Sequence, residues 1–422
     1  MKKDRFQGKS VLILGFGEEG KDAYEFIKKQ GVSVIAIADK NEQIATPEHV
    51  AKYTGPSYLD AVQQYNIIVR SPGVPYHLIS PLLSSNQELT SSTNIFFEEC
   101  VAPIIGVTGT KGKSTTCALL SAMLKQWGKN VYTVGNMGNP CLSALEHITP
   151  EDIVVYELSS FQLIDMKKSP HIAIFLNISL DHLDHHKDYK EYVQAKARIT
   201  VLQGPKDIFI YNQEDEEVSL VASLSKAQKI PFKPGSSPIK TTWAAPIEPV
   251  LAVANIFSIP DEIIQKTIET FLPLEHRLEQ VGEWNGITFI NDSAATTPRS
   301  TLRALDILGK SVKTLILGGS SKGSSYRELA QRILDSSIQT LVLFPTTGKE
   351  IEKEILALGR DHPMIQHVSS MEEAVQACYE QTPRGSTCLL SPASASFSMF
   401  SNYKERGEKF KKLAKHYGQA NA

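Results

Sequence analysis

Short apolar runs, each followed by a glycine-bearing or polar turn and then an amphipathic stretch, recur along the whole chain, and this alternation predicts an α/β protein. Ser10–Leu14 has the continuous apolar character of a strand covered on both faces, and Lys21–Lys29 reads as the helix that follows it. Gly31 ends that helix ahead of a second apolar run, Val32–Ala38. Ile67–Val69 is a further strand that runs into RSPGVP (70–75), where two prolines and a glycine exclude regular structure. The segment Ser84–Thr93 is polar and turn-rich, which predicts the end of a first domain near residue 100.

The pattern restarts with a strand over Pro103–Val107, a glycine-rich loop and a helix from Ser114. Leu120, Met123, Leu124 and Trp127 fall on one face of that helix, and Gly128 is placed to cap it. Strands over Ile153–Tyr156 and His171–Leu176 follow, and prolines 231, 234, 238, 246 and 249 predict a loop. A third set starts near Glu275, with strands over Ile287–Ile290, Thr314–Leu317, Thr340–Phe344 and Cys388–Leu390. The expected architecture is three α/β domains over 1–100, 101–274 and 275–422. The first and last are Rossmann-like and the central one is of the P-loop type.

Composition narrows the function classes. The 422 residues are 41% hydrophobic and carry a formal charge of −2, so the net basic footprint needed to coat nucleic acid or anionic membrane is missing. The apolar run near the amino terminus is short and breaks into Gly and Glu, unlike a signal peptide, and no run reaches membrane-spanning length. Five scattered cysteines without a CxxC pair fit neither a disulfide framework nor a zinc knuckle. The expectation is a cytoplasmic monomer whose partners are small molecules, with no nucleic acid and no membrane.

Two glycine clusters carry candidate chemistry. GFGEEG (15–20) has dinucleotide-fingerprint spacing, with Asp39 at the end of the next strand. Glu18 and Glu19 would meet a pyrophosphate at the helix start, so the loop favours another nucleotide or simply close helix–strand packing. GVTGTKGKSTT (106–116) is sharper. It has Val107 where the strict phosphate-loop pattern has glycine, yet Gly106, Gly109 and Gly112 permit turns whose N–H groups face phosphate. Lys113 can reach the β- and γ-phosphates and the Ser114 hydroxyl can ligate Mg²⁺. Gly109, Thr110, Gly112, Lys113, Ser114 and Thr115 are the candidate ATP-binding residues.

This segment resembles the Mur ligases and folylpolyglutamate synthetases, ATP-dependent enzymes that form amide bonds. Later motifs are similar to the D-glutamate-adding branch of the Mur ligases and extend over essentially the whole chain. The resemblance implies ATP with two Mg²⁺ ions as cofactors, and UDP-N-acetylmuramoyl-L-alanine and D-glutamate as substrates joined through an acyl phosphate. It makes Glu157 of ELSSFQL (157–163) a metal ligand and gives the same role to His182 of NISLDHLDHHKDY (177–189). Read from the residues alone, that histidine cluster lacks a closed zinc set, and solvated side chains are expected for at least two of His182, His185 and His186; the metal role is not extended to His185 or His186. Lys196 in AKARI (195–199) corresponds to a carbamylated lysine that supports the second ion. Arg277 of HRLE (276–279) and Asp292 of NDSAAT (291–296) fall at nucleotide positions, with Thr296 near the incoming glutamate. Lys322 of GGSSKG (318–323), together with Ser396, Phe397 and Tyr403 in the long carboxy-terminal match, would take D-glutamate. Gly15, Phe16, Gly17, Asp39, Ser71, Gly73 and Asn136 would hold the UDP substrate.

Three departures stand out. Ala294 replaces the lysine of NDSKAT, AAPIEPVLA (244–252) lacks the family's asparagines, and Ser398 replaces an aspartate. A lost hydrogen bond costs roughly 0.5–1.5 kcal/mol, so weaker ATP binding is expected. Two other readings remain open: a folylpolyglutamate-type ligase with another acceptor, and a nucleotide-binding homologue that has lost catalysis.

Overall fold

The computed structural model describes residues 5–135, 140–179, 186–239, 246–271, 274–321 and 323–420. Its strands form three sheets. The first, from β1 (Ser10–Leu14), β2 (Val34–Asp39), β3 (Ala51–Thr54), β4 (Ile67–Arg70) and β5 (Glu88–Thr90), is parallel in the order β3-β2-β1-β4-β5. The second comprises β6 (Ile104–Thr108), β7 (Val131–Gly135), β8 (Ile153–Glu157), β9 (Ile172–Phe175), β10 (Ile208–Asn212) and β11 (Gln228–Phe232). It is parallel in the order β11-β10-β9-β6-β8-β7. The third comprises β12 (Glu279–Trp284), β13 (Ile287–Asn291), β14 (Val312–Gly319), β15 (Thr340–Thr346), β16 (Met364–His367) and β17 (Ser386–Leu390), in the order β12-β13-β17-β14-β15-β16. Only the edge pair β12–β13 of that sheet is antiparallel.

The chain divides into two compact units, 1–241 with 245–271, and 242–244 with 272–422. The first two sheets belong to one unit because they share a hydrophobic core. Ile95, Phe96 and Phe97 of the Ser92–Glu99 helix pack with Val11, Ile67 and Val69 of the first sheet and with Ile104 and Tyr156 of the second. The Phe96 and Tyr156 rings meet edge-on at 5.4 Å. In the other unit both faces of the third sheet are covered, one by a core around Leu315, Leu329 and Ile351, the other by Phe289, Cys378 and Phe410.

Three local expectations change. The first helix spans Glu18–Ile27 rather than starting at Lys21, because acidic residues suit the positive end of a helix and Gly17 opens it. Ser84–Thr93 is not a turn segment throughout: it contains β5, and Ser91 accepts from Asn94 N–H at 3.2 Å to cap the next helix. Residues 231–249 are not one loop. Pro231 lies in β11, an edge strand that tolerates a missing N–H, and Pro249 lies in the first turn of the Glu248–Ile256 helix. All five cysteines are free thiols, four of them buried. Among the described residues no helix is long and apolar enough to cross a membrane.

Candidate active site

The phosphate loop connects β6 to the Lys113–Gln126 helix. Gly109 (φ 156°) and Gly112 (φ 87°) occupy backbone conformations that favour glycine, and a Cβ on Gly109 would meet the Leu176 Cβ at 3.0 Å. The loop is held from outside itself. Thr110 and Lys111 N–H groups donate to the carbonyl and side-chain oxygens of Asn177, each at 2.9 Å, and the Thr110 hydroxyl lies 2.9 Å from Tyr192 Oη. Lys113 Nζ donates to Gly109 O at 2.8 Å and Thr110 O at 3.0 Å, while Ser114 sits in the first helical turn. Lys196, 2% exposed, also donates to Gly109 O, at 2.9 Å, and lies over the Tyr192 ring. Two ammonium groups therefore converge on one carbonyl oxygen.

Glu157 joins them at the end of β8. It pairs in register with Val107 on one side and Gly135 on the other and is 1% exposed. The following SSFQL residues have structural work. Ser159 and Gln162 form a reciprocal capping box, with Ser159 N–H donating to Gln162 Oε1 at 2.9 Å and Gln162 N–H to Ser159 Oγ at 3.3 Å. Of the three histidines His186 is described, and it is buried, 2.9 Å from Ser160 Oγ and stacked on Phe161. His182, His185 and Asn136 lie outside the described residues.

The first glycine loop is built for close packing. A Cβ on Gly20 would come within 2.1 Å of Gly15 O, and Ser71 Oγ donates to that carbonyl at 2.6 Å. Asp39 accepts from Phe16 N–H at 2.7 Å and Asn41 N–H at 2.8 Å, so its carboxylate braces the loop. Phe16 is buried, whereas Gly17 and Gly73 are exposed with open space where a Cβ would stand. Burial pushes the Glu19 carboxyl up to about 7, although Gln162 Nε2 donates to its Oε1 at 2.8 Å.

In the second unit Asp292 follows β13. Ser391 Oγ donates to it at 2.7 Å and Leu278 N–H at 3.3 Å, yet burial raises its carboxyl to about 7. His276 and Leu278, on either side of the exposed Arg277, have φ of 65° and 50°, strained values for residues with side chains. Arg277 is near enough to Asp292 to oppose the rise in its pKa. Thr296 donates its N–H to Ala294 O. Ser293 Oγ donates to Tyr403 O at 2.8 Å, and Ser320 N–H to Ala395 O at 2.8 Å, so the NDSAAT, GGSSKG and Ser396–Tyr403 segments gather at one place. Ser396 is buried and Phe397 is 71% exposed. Lys322 lies outside the described residues.

Sequence reasoning missed the organiser of this cluster, Arg406. It is fully buried, donates to Ser293 Oγ and O and to Ser394 O, and is pushed down to about 10 by desolvation. An arginine in the charged run YKERGEK carries no sequence signal for burial.

Two family models match this chain: the Mur ligase middle domain over residues 107–277 and the Mur ligase, glutamate ligase domain over residues 276–394. Together with the fold and the phosphate loop they define the class: the chain belongs to the Mur ligase family. Curated relatives carry a more particular name. The UDP-N-acetylmuramoylalanine--D-glutamate ligase of Acetivibrio thermocellus is 34% identical over 97% of both chains. The protein of that name from Caldanaerobacter subterraneus subsp. tengcongensis is 32% identical over 96% of this chain and 97% of its own. The first alignment spans 456 positions, more than the 422 residues here, so that relative carries segments this chain lacks. Among solved structures, the MurF ligase of Thermotoga maritima in complex with ADP aligns over 100% of this chain and 97% of its own. Its TM-score is 0.63 at 15% identity, a likeness of fold.

Proposed function

We propose that this protein joins D-glutamate to UDP-N-acetylmuramoyl-L-alanine, driven by ATP, in the synthesis of peptidoglycan precursors. The observation that carries the reading is the 34% identity, over 97% of both chains, to a ligase of that name. A built phosphate loop with Lys113, Glu157 and Lys196 around it supports the same conclusion.

In this reading Lys113 and the start of its helix stabilise the γ-phosphate while a carboxylate oxygen of the L-alanyl group attacks phosphorus. The bond to the ADP oxygen breaks and an acyl phosphate forms. The neutral amine of D-glutamate then attacks the carbonyl carbon, inorganic phosphate leaves, and the amine gives up a proton as the amide forms. Such transfers need positioning and electrostatic stabilisation rather than a protein nucleophile. Arg277 and Asp292 are assigned to the nucleotide. Thr296, Lys322, Ser396, Phe397 and Tyr403 receive D-glutamate, while Gly15, Phe16, Gly17, Asp39, Ser71, Gly73 and Asn136 receive the UDP substrate.

Among the described residues, the Ser114 hydroxyl and the buried Glu157 carboxylate fit Mg²⁺, which prefers hard oxygen ligands; a carbamylated Lys196 would add carboxylate-like oxygens, and the family resemblance adds His182. When bound, Mg²⁺ supplies charge neutralisation at the phosphates. Carbamylation of Lys196 is supported by the crowding of its ammonium with that of Lys113 at Gly109 O, since the modification turns a repulsive pair into an attractive one. The proposed division of labour is 1–100 for the UDP substrate, 101–274 for ATP and 275–422 for nucleotide and glutamate, in a cytoplasmic monomer.

The acyl-phosphate step has a direct test. With ¹⁸O in the L-alanyl carboxylate, one labelled oxygen should appear in the released phosphate. Unlabelled phosphate alongside labelled amide product would exclude the acyl-phosphate route.

A further inference from the structure

The motifs tied to the UDP substrate and to ATP sit on different sheets, yet a set of buried polar contacts joins them. Arg70, the last residue of β4, is 1% exposed and faces Asp165, 6% exposed, beyond the short Ser160–Leu163 helix. The pair is bidentate, with Arg70 Nε and Nη2 each 2.9 Å from a different carboxylate oxygen. The same guanidinium donates from Nη2 to Phe161 O at 2.7 Å and from Nη1 to Val74 O at 3.0 Å, so it grips both the RSPGVP turn and the SSFQL segment. Ser71, next in the chain, holds Gly15 O, and Ser159, at the other end, caps the helix two residues after Glu157. A second strut runs parallel, from Gln162 Nε2 to Glu19 Oε1. Asn94 ties down the far side by donating to Asp165 O and accepting from Lys167 N–H.

We infer that Arg70 and Asp165 are positioning residues that hold the glycine loop and RSPGVP turn in fixed register with the Glu157 strand and the phosphate loop. The inference rests on the proposed ligase reading. Neither residue touches a reacting atom. Their effect is to align the acyl end of the nucleotide-sugar substrate with the γ-phosphate, where misplacement of about 1 Å can cost on the order of 100-fold in rate. Bidentate geometry, with two further carbonyl contacts on one planar group, fixes both distance and angle in a way that lysine cannot.

The test uses the full chain and three variants: Asp165→Asn, Arg70→Lys, and the apolar pair Arg70→Met/Asp165→Leu. The double variant removes both buried charges together, a change that buried ion pairs often tolerate in stability. Wild-type turnover with UDP-N-acetylmuramoyl-L-alanine, ATP and D-glutamate is measured first, and its absence would refute the ligase reading itself. With an active wild type, the expected result is a kcat lowered by about 100-fold in the apolar pair and by about 10-fold or more in each single variant. Dissociation constants for ATP and for UDP-N-acetylmuramoyl-L-alanine, each measured alone by calorimetry, should stay within about threefold of wild type. A kcat that recovers with melting temperature in the apolar pair would assign Arg70 and Asp165 to stability alone and overturn the inference. So would an unchanged kcat in Asp165→Asn, the isosteric variant that decides the matter should the double variant not fold.

Discussion

Gly109 is constrained twice over: its carbonyl accepts from both Lys113 and Lys196, and its own φ of 156° disfavours any side chain. Replacing Lys113 with Ala removes the cation expected at the transferred phosphate. Turnover should fall by about 10³-fold or more, and near-normal activity would contradict the mechanism. Lys196→Arg keeps the charge and the approximate length but cannot form a carbamate. Its turnover should fall at least about 10²-fold while ATP still binds, whereas an active arginine variant would exclude the carbamate. Glu19 offers a test of electrostatics away from the chemistry. Burial lifts its carboxyl from 4.5 to about 7, with Asp22 and Asp165 adding to the rise and Gln162 and Arg70 opposing it. Because the folded value is the higher one, its contribution to stability is complete at low pH and is lost as pH rises from about 4.5 through about 7. Melting temperatures of Glu19→Gln and wild type should therefore lie close near pH 4.5 and diverge toward pH 8, with the variant the more stable. A pH-independent gap would show that the carboxyl does not titrate in this window.

At the scale of elements, legibility followed sequence distance. The phosphate loop was readable because its glycines, its lysine and the start of its helix lie within eleven residues, and a local pattern dictates a local conformation. GFGEEG was readable as a tight strand-to-helix turn, but not the role of Asp39, which braces Phe16 N–H rather than standing open. SSFQL was legible only through resemblance. Its capping box joins Ser159 to Gln162, and its grip on Glu19 spans 143 positions that no periodicity connects. The misread prolines have a physical explanation: an edge strand and a first helical turn are the two regular settings in which a missing N–H is harmless, and neither can be recognised before the neighbours are known. Gly20→Ala probes the turn directly. A Cβ within 2.1 Å of Gly15 O forces the loop to move, so stability should fall by about 1–3 kcal/mol and the KM for the UDP substrate should rise. Unchanged values for both would remove the packing argument for that glycine.

For the whole molecule, alternation of apolar runs and amphipathic stretches predicted an α/β architecture, and three sheets dominated by parallel strands are found. What the pattern could not convey is that the first two share one core through Phe96 and Tyr156, residues 60 positions apart that read separately as ordinary apolar positions. Likewise Arg406 gathers the NDSAAT loop and the Ser394 segment from a stretch that looks like solvent-facing charge. These long-range contacts join the recognisable motifs into sites, and they depend on the completed fold. The central claim concerns the molecule entire: a ligase that couples ATP cleavage to joining two substrates, despite Ala294 and a Glu248–Ile256 helix that opens without the family's asparagines. The most direct measurement is phosphate release from ATP and Mg²⁺ with UDP-N-acetylmuramoyl-L-alanine, D-glutamate, both or neither. Release that requires both and matches amide product one for one is the predicted result. No release with both present, in protein that binds ATP, would contradict it.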